Sequence, residues 1–142
     1  MGHFRFLEEI VLADCAVEVS ADSLSDLFET AARALAELMV DPATLEASVT
    51  RHLTLEAPSL DLLLFEWLSD LIARKDAEAE VFARTEVRVT DEGPSRLEAR
   101  LIGGPIVTGR TGRRSDVKGL TFHRFMIERV AGGWHATFVL DL

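Results

Sequence analysis

Residues 59–72, SLDLLLFEWLSDLI, predict an amphipathic helix. Its apolar residues recur every three or four positions and so share one face of a helix: Leu60, Leu63, Leu64, Trp67, Leu68 and Leu71. Leu62, Phe65 and Ile72 widen that face, which predicts a deeply buried helix. We expect it to fray at residues 74–76, Arg-Lys-Asp, where the helix dipole favours the two cations.

A second amphipathic helix is predicted upstream of the first, at residues 24–39. Ser23 is a good N-cap, and Asp26 three positions later makes a variant of the capping box. Asp41-Pro42 ends the helix, because a proline disfavours helical geometry at the residue before it. The apolar face is again defined by helical spacing: Leu24, Leu27, Phe28, Ala31, Leu35, Leu38 and Met39.

Seven strands are predicted before, between and after these helices, at residues 4–7, 12–19, 46–56, 81–90, 96–102, 117–130 and 134–140. The last two flank Ala131-Gly132-Gly133, which is typical of a β-hairpin turn. In the second strand Ala13, Cys15, Val17 and Val19 alternate, which predicts one apolar face. Asp14 then lies on the opposite face or at the end of the strand. A long loop rich in glycine and basic residues is predicted at 103–116.

The resulting order, β-β-α-β-α-β-β-β-β, predicts an α+β fold in which two helices pack on a largely antiparallel sheet. A length of 142 residues suits one domain, spanning residues 1–142. Hydrophobic residues make up 48% of the chain, which excludes a disordered protein. No apolar run approaches the roughly 20 residues of a membrane-spanning helix. Cys15 is the single cysteine and no export signal is visible, so we expect a cytoplasmic protein.

Charge is distributed unevenly along the chain, whose net charge is −9. Residues 1–103 hold 21 acidic and 9 basic residues, whereas residues 104–142 hold 3 and 6. The acidic excess opposes general nucleic-acid binding. Four cations fall within nine positions: Arg110, Arg113, Arg114 and Lys118. They form either a solvated loop or a contact for an anionic partner, and we expect the loop to be exposed and mobile.

A candidate metal site is suggested by the C-terminal residues 139–142, Val-Leu-Asp-Leu. A strand running to the last residue brings together the side chain of Asp141 and the α-carboxylate of Leu142. If Asp14 lies on a neighbouring strand, three carboxylates converge, and hard oxygen ligands of this kind suit Ca²⁺ or Mg²⁺. Calcium is favoured because it tolerates irregular oxygen shells. The alternative is that Asp14 caps a turn and Asp141 is an ordinary acid in solvent.

Several motifs resemble those of the archease family. Residues 117–123, VKGLTFH, resemble the family pattern V-K-A-x-T-(Y/W)-H, and residues 139–142, VLDL, resemble its C-terminal V-L-D-(I/L/V). Residues 64–68, LFEWL, are similar to its L-x-x-W-L helix. Asp14 sits where the aspartate of the family's E-H-T-A-D belongs. The motifs follow one another in the order of the family's motifs, and the resemblance extends over essentially the whole chain.

The resemblance implies an accessory protein, not an enzyme, that activates the GTP-dependent RNA ligase of tRNA splicing. It would promote guanylylation and repeated turnover of that ligase, and it would contact RNA only indirectly, by way of the ligase. The implied metal ligands are Asp14, Asp141 and Leu142, while Lys118 and His123 match further motif positions. The family's histidine before T-A-D is absent here, as is an acid of its G-E-P-x-D, so we expect modest metal affinity.

Two other function classes stay open at this point. A metal-dependent hydrolase could use the same carboxylates, but it needs a general acid or base, and His123 is the only candidate that the motifs nominate. A small RNA-binding module could be built on residues 110–118, although the acidic remainder of the chain opposes it.

Overall fold

The computed structural model describes residues 2–7 and 14–142. Within them the elements follow the predicted order, with one 3₁₀ turn at Pro42–Thr44. The predicted α+β class is confirmed, while the predicted start of the second strand at Leu12 and Ala13 lies outside the described residues. The bounds are β1 His3–Phe6, β2 Asp14–Ala21, α1 Leu24–Met39, β3 Val49–Ala57, α2 Leu60–Glu78, β4 Glu80–Asp91, β5 Ser95–Pro105, β6 Gly119–Val130 and β7 Gly133–Asp141.

The described strands form two sheets, one ordered β1-β2-β7-β6 and the other β3-β5-β4. Every pairing is antiparallel, as the sequence predicts. The two helices contact both sheets and share with them one hydrophobic core. No helix in the described part of the chain is both long and apolar enough to cross a membrane.

Helix α1 begins at the predicted N-cap and also protects a sheet edge. The Ser23 hydroxyl accepts a hydrogen bond from the amide of Asp26 at 3.1 Å. Further along the helix, Ser25 Oγ accepts from the amide of Val89, and Glu29 Oε2 accepts from the amide of Val87 at 2.8 Å. These amides lie on β4, an edge strand of its sheet, so α1 satisfies donors that would otherwise invite pairing with another chain.

Helix α2 packs most of its predicted apolar face into the core, although Leu62, predicted to widen that face, is 38% exposed. Trp67 is fully buried, and its indole Nε1 donates to the carbonyl of Phe28 on α1 at 2.9 Å. This hydrogen bond satisfies the one polar atom of the side chain and ties the two helices together. The structural role expected for Trp67 is therefore supported by its burial and its partner.

Two predictions about local structure are wrong. Helix α2 does not fray at residues 74–76: it continues to Glu78 and ends at Ala79, which has a left-handed backbone. Gly103 and Gly104 lie in β5 and not in a loop: Gly103 pairs with Val49 of β3, and Gly104 pairs with Val81 of β4. A Cβ at Gly103 would collide with the carbonyl oxygen of Val81, so the glycines serve packing and not flexibility.

Candidate functional site

Two aspartates meet at one end of the four-stranded sheet. Asp14 is the first residue of β2, Asp141 is the last residue of β7, and the two are direct cross-strand partners. Directly opposed residues point to the same face, with Cβ atoms about 4.5–5.5 Å apart. Both residues are half-buried. The strand register thus brings together two of the carboxylates that the sequence singles out.

A glycine extends this row onto a third strand. Gly119, the first residue of β6, is the cross-strand partner of Asp141, and the amide of Lys118 donates to the carbonyl oxygen of Asp141 at 2.8 Å. A Cβ built on Gly119 would meet no heavy atom of the described chain within 4 Å. The row of Asp14, Asp141 and Gly119, here called the carboxylate row, therefore has open space at Gly119, next to Asp141.

The carboxylate row offers part of a divalent-cation shell. Its two side chains supply hard oxygen atoms, whereas Ca²⁺ takes six to eight such ligands. Within residues 2–7 and 14–142, no group of three His, Cys, Asp or Glu side chains could hold a metal. A cation would therefore need the α-carboxylate expected at Leu142, carbonyl oxygens or water in addition to Asp14 and Asp141. The two carboxylates are hard oxygen ligands of the kind that Ca²⁺ takes, and metal binding here stays a prediction.

The basic segment, residues 110–118, is exposed at its arginines and hydrogen-bonded to α1, while its mobility stays a prediction. Arg110, Arg113 and Arg114 are exposed, as expected. The backbone, however, is tied to the end of α1: the amide of Arg114 donates to Met39 O at 2.9 Å, and the amide of Ser115 donates to Leu38 O at 3.0 Å. The last carbonyls of a helix lack partners within the helix, and this segment supplies donors for them.

The guanidinium groups of this segment are partly neutralised by acids. Arg114 Nη1 donates to the carbonyl of Glu37 at 2.8 Å and to its carboxylate at 3.3 Å. Arg110 Nη1 donates to the carboxylate of Glu46 at 3.4 Å. Exposed pairs of this kind contribute little to stability. They do reduce the positive field available to an anionic partner.

A buried lysine anchors the end of the same segment. Lys75 on α2 donates from Nζ to Asp116 Oδ1 and to the carbonyl of Val117, both at 2.7 Å. Burial opposes the charge of Lys75, but its hydrogen bonds to Asp116 and Asp76 outweigh this and raise the pKa. The hydrogen bond from Lys75 in turn lowers the pKa of Asp116. No sequence pattern predicted this group, although Lys75 continues the apolar spacing of α2.

Lys118 and His123 occupy different positions relative to the carboxylate row. The side chain of Lys118 is exposed, and its amide holds Asp141. His123 is exposed in an irregularity of β6, where pairing with β7 stops after Thr121 and resumes at Met126. Arg124 in this stretch has a positive φ of 56°, the left-handed conformation of a bulge. The register therefore leaves His123 outside the row.

The irregularity of β6 also displays an aromatic surface that the sequence analysis did not predict. Phe122 is 64% exposed, and its ring stacks on that of Phe65 from α2 with centroids 4.0 Å apart. Phe125 meets Phe65 edge-on at 5.5 Å. Helical spacing assigned Phe65 to the buried face of α2, but it is only half-buried. The clustering depends on the path of β6, which no local pattern encodes.

Comparison with known sequences finds one family across nearly the whole chain. Residues 4–142 match the family described as the archease protein family (MTH1598/TM1083). A protein archease of Sulfurisphaera tokodaii is 30% identical over the full length of both chains. Another, from Thermococcus gammatolerans, is 33% identical over 92% of this chain and 93% of its own.

Comparison with solved structures finds the same fold. The solution structure of Methanobacterium thermoautotrophicum protein 1598 has a TM-score of 0.80 and 30% identity, covering 98% of each chain. A crystal structure from Thermotoga maritima, described as an archease and possible chaperone, has a TM-score of 0.63. It is 20% identical and covers 99% of this chain and 100% of its own, so it bears on the fold alone.

Proposed function

The chain belongs to the archease family, and on that premise we propose that it activates a GTP-dependent RNA ligase. It promotes guanylylation of the ligase and allows repeated turnover in tRNA splicing or RNA repair. It acts as an accessory protein whose role is to prepare another enzyme, and it works in the cytoplasm. The observation that carries the proposal is the carboxylate row, since it presents two half-buried acids at a sheet end, with open space at Gly119 next to Asp141.

The chain's own residues have separable tasks in this proposal. Asp14 and Asp141 would hold a divalent cation, preferably Ca²⁺, together with the α-carboxylate of Leu142. The amide of Lys118 fixes the backbone of Asp141 by its 2.8 Å hydrogen bond. The exposed ammonium of Lys118, one residue away from Gly119, binds an anionic group of the ligase or its nucleotide. The bound cation supplies positive charge that attracts oxygen ligands of the partner.

The ligase, and not free RNA, is the proposed direct partner. The chain carries a net charge of −9, which repels phosphate. Arg110 pairs with Glu46 and Arg114 pairs with Glu37. These pairs reduce the positive charge that an RNA-binding module would need on this segment. A hydrolase would need a general acid or base beside Asp14 and Asp141, whereas His123 lies in the irregularity of β6 and outside the carboxylate row. The structure thus favours neither alternative.

The test is multiple-turnover RNA joining by a GTP-dependent RNA ligase with and without the purified chain. We expect the ligase alone to stop after about one turnover and the chain to restore continued joining. Asp14→Asn should lose this effect, whereas Asp61→Asn, an exposed acid on α2, is the matched control and should retain it. Equal joining with and without the chain would refute the proposal.

A further inference from the structure

A lysine on α2 reaches the chain just before β6. The Nζ atom of Lys75 lies 2.7 Å from Asp116 Oδ1, 2.7 Å from the carbonyl oxygen of Val117 and 2.6 Å from Asp76 Oδ1. The lysine side chain is only 7% exposed. An ammonium has three N–H donors, and here three oxygen atoms surround it, which offsets the cost of removing the charge from water.

The three oxygen atoms are not equivalent. The carboxylates of Asp76 and Asp116 are 56% and 64% exposed, so water can replace the lysine at either of them. Val117 is fully buried, and its carbonyl hydrogen bond to Lys75 is buried as well. A buried carbonyl that loses its partner keeps the full cost of desolvation. Lys75 therefore constrains the main chain at Val117 more strongly than it constrains either acid.

The constrained residue directly precedes the backbone that holds the carboxylate row. The amide that follows the carbonyl of Val117 belongs to Lys118, and it donates to the carbonyl oxygen of Asp141 at 2.8 Å. Gly119, the next residue, is the cross-strand partner of Asp141. The same peptide unit thus accepts a hydrogen bond from Lys75 on one side and donates one to Asp141 on the other.

We propose that Lys75 is a positioning residue of the carboxylate row, acting through the peptide that joins Val117 to Lys118. By fixing this peptide from α2, it fixes the end of β7 that carries Asp141. The predicted effect of Lys75 on ligase activation rests on the proposed function, whereas its predicted effect on the peptide that joins Val117 to Lys118 does not.

The test is amide hydrogen exchange measured by NMR on the full chain. Lys75→Met keeps most of the apolar stem and removes the ammonium. We expect exchange of the Lys118 amide to become about tenfold faster relative to amides within α1, because the carbonyl in the same peptide loses its partner. A purely global loss of stability would accelerate α1 amides equally, and that result would overturn the proposal.

Further variants keep the test decisive. Asp76→Asn weakens only the exposed contact between Lys75 and Asp76. It leaves the hydrogen bonds from Lys75 to Asp116 and to the Val117 carbonyl in place, so it should leave Lys118 exchange unchanged. Asp116→Asn likewise changes an exposed side chain and leaves the hydrogen bond from Lys75 to the Val117 carbonyl in place, so it should also leave Lys118 exchange unchanged. If Lys75→Met does not fold, Lys75→Gln takes its place, because its shorter side chain keeps a polar end but moves the donor away from the Val117 carbonyl. Lys118 exchange that stays unchanged in Lys75→Gln relative to amides within α1 would overturn the proposal.

Ligase activation separates the two proposals. If the native chain activates the ligase, Lys75→Met should reduce activation about tenfold, while Asp76→Asn should not. Faster Lys118 exchange in Lys75→Met with full activation would overturn the link to the carboxylate row. If the native chain does not activate any ligase tested, the proposed function fails, and the exchange data still decide whether Lys75 positions the peptide.

Discussion

Asp14 and Asp141 oppose each other directly across β2 and β7. Like charges at opposed positions destabilise a sheet, so this pair costs free energy unless a cation lies between the carboxylates. In the absence of divalent cations, Asp14→Asn should therefore raise the free energy of unfolding by about 0.5 kcal/mol. With Ca²⁺ at 100 times its dissociation constant, the native chain should gain about 2.7 kcal/mol and Asp14→Asn much less. Thermal unfolding with calcium or with a chelator measures both effects.

Calorimetric titration with Ca²⁺ tests the ligands individually. Asp141→Asn removes one side-chain ligand, and residues added after Leu142 move the α-carboxylate away. Both changes should weaken binding, while Asp61→Asn should leave it unchanged. If the native and altered chains bind alike, or if none binds at millimolar calcium, the proposed metal site is wrong.

Gly119 gives a test in which no acid is changed. Its missing side chain leaves open space in the carboxylate row. Gly119→Val should fill that space and weaken Ca²⁺ binding by about tenfold, or ~1.4 kcal/mol. Folding should be unimpaired, because Gly119 lies in a strand where β-branched residues are favoured. Undiminished calcium affinity in a well-folded Gly119→Val chain would show that the space is not part of the site.

Trp67 is expected to act in stability alone. Trp67→Ala should lower the free energy of unfolding by ~3–5 kcal/mol, because it leaves a cavity between the two helices. Trp67→Phe keeps most of the volume and loses the hydrogen bond to Phe28 O, so its effect should be smaller. Urea denaturation measures both variants, and an unchanged midpoint for Trp67→Ala would contradict the core assignment.

Glu80 should make stability depend on acid pH. The hydrogen bond from Arg51 lowers the pKa of this largely buried carboxyl below its usual range. The ionised form is thus favoured in the folded protein, and its contribution is complete above the unfolded pKa of about 4.3. That contribution is lost as pH falls through the lower folded pKa. Glu80→Gln should flatten this acid decline, whereas Glu92→Gln, in an exposed turn, should follow the native chain.

The helices and the order of strands were predictable because their signals are local. Spacing of apolar residues defines α1 and α2, and the Ser23 cap marks where α1 begins. The sequence alone predicted that Asp14 lies near Asp141 only on the condition that their strands are neighbours, because strand register depends on the whole sheet. It became an expectation through the resemblance to a family, not through any local pattern.

The features that sequence analysis missed all depend on tertiary contacts. Lys75 was expected at a fraying helix end, but two oxygen atoms from the segment before β6 allow its burial. The hydrogen bonds from amides of the basic segment to carbonyls at the end of α1 were not predicted. The stacking of Phe122 on Phe65 requires the irregularity of β6. Each arises from residues more than 30 positions apart.

Guanylylation of a GTP-dependent RNA ligase by labelled GTP, with and without the chain, is the decisive measurement for the proposed activation. We predict that the native chain accelerates the reaction and that Asp141→Asn abolishes the acceleration. Lys118→Ala should reduce it about tenfold without a change in unfolding midpoint, and Asp61→Asn should preserve it. A ligase that takes up GTP at the same rate with the native chain, with Asp141→Asn and with neither would contradict the account.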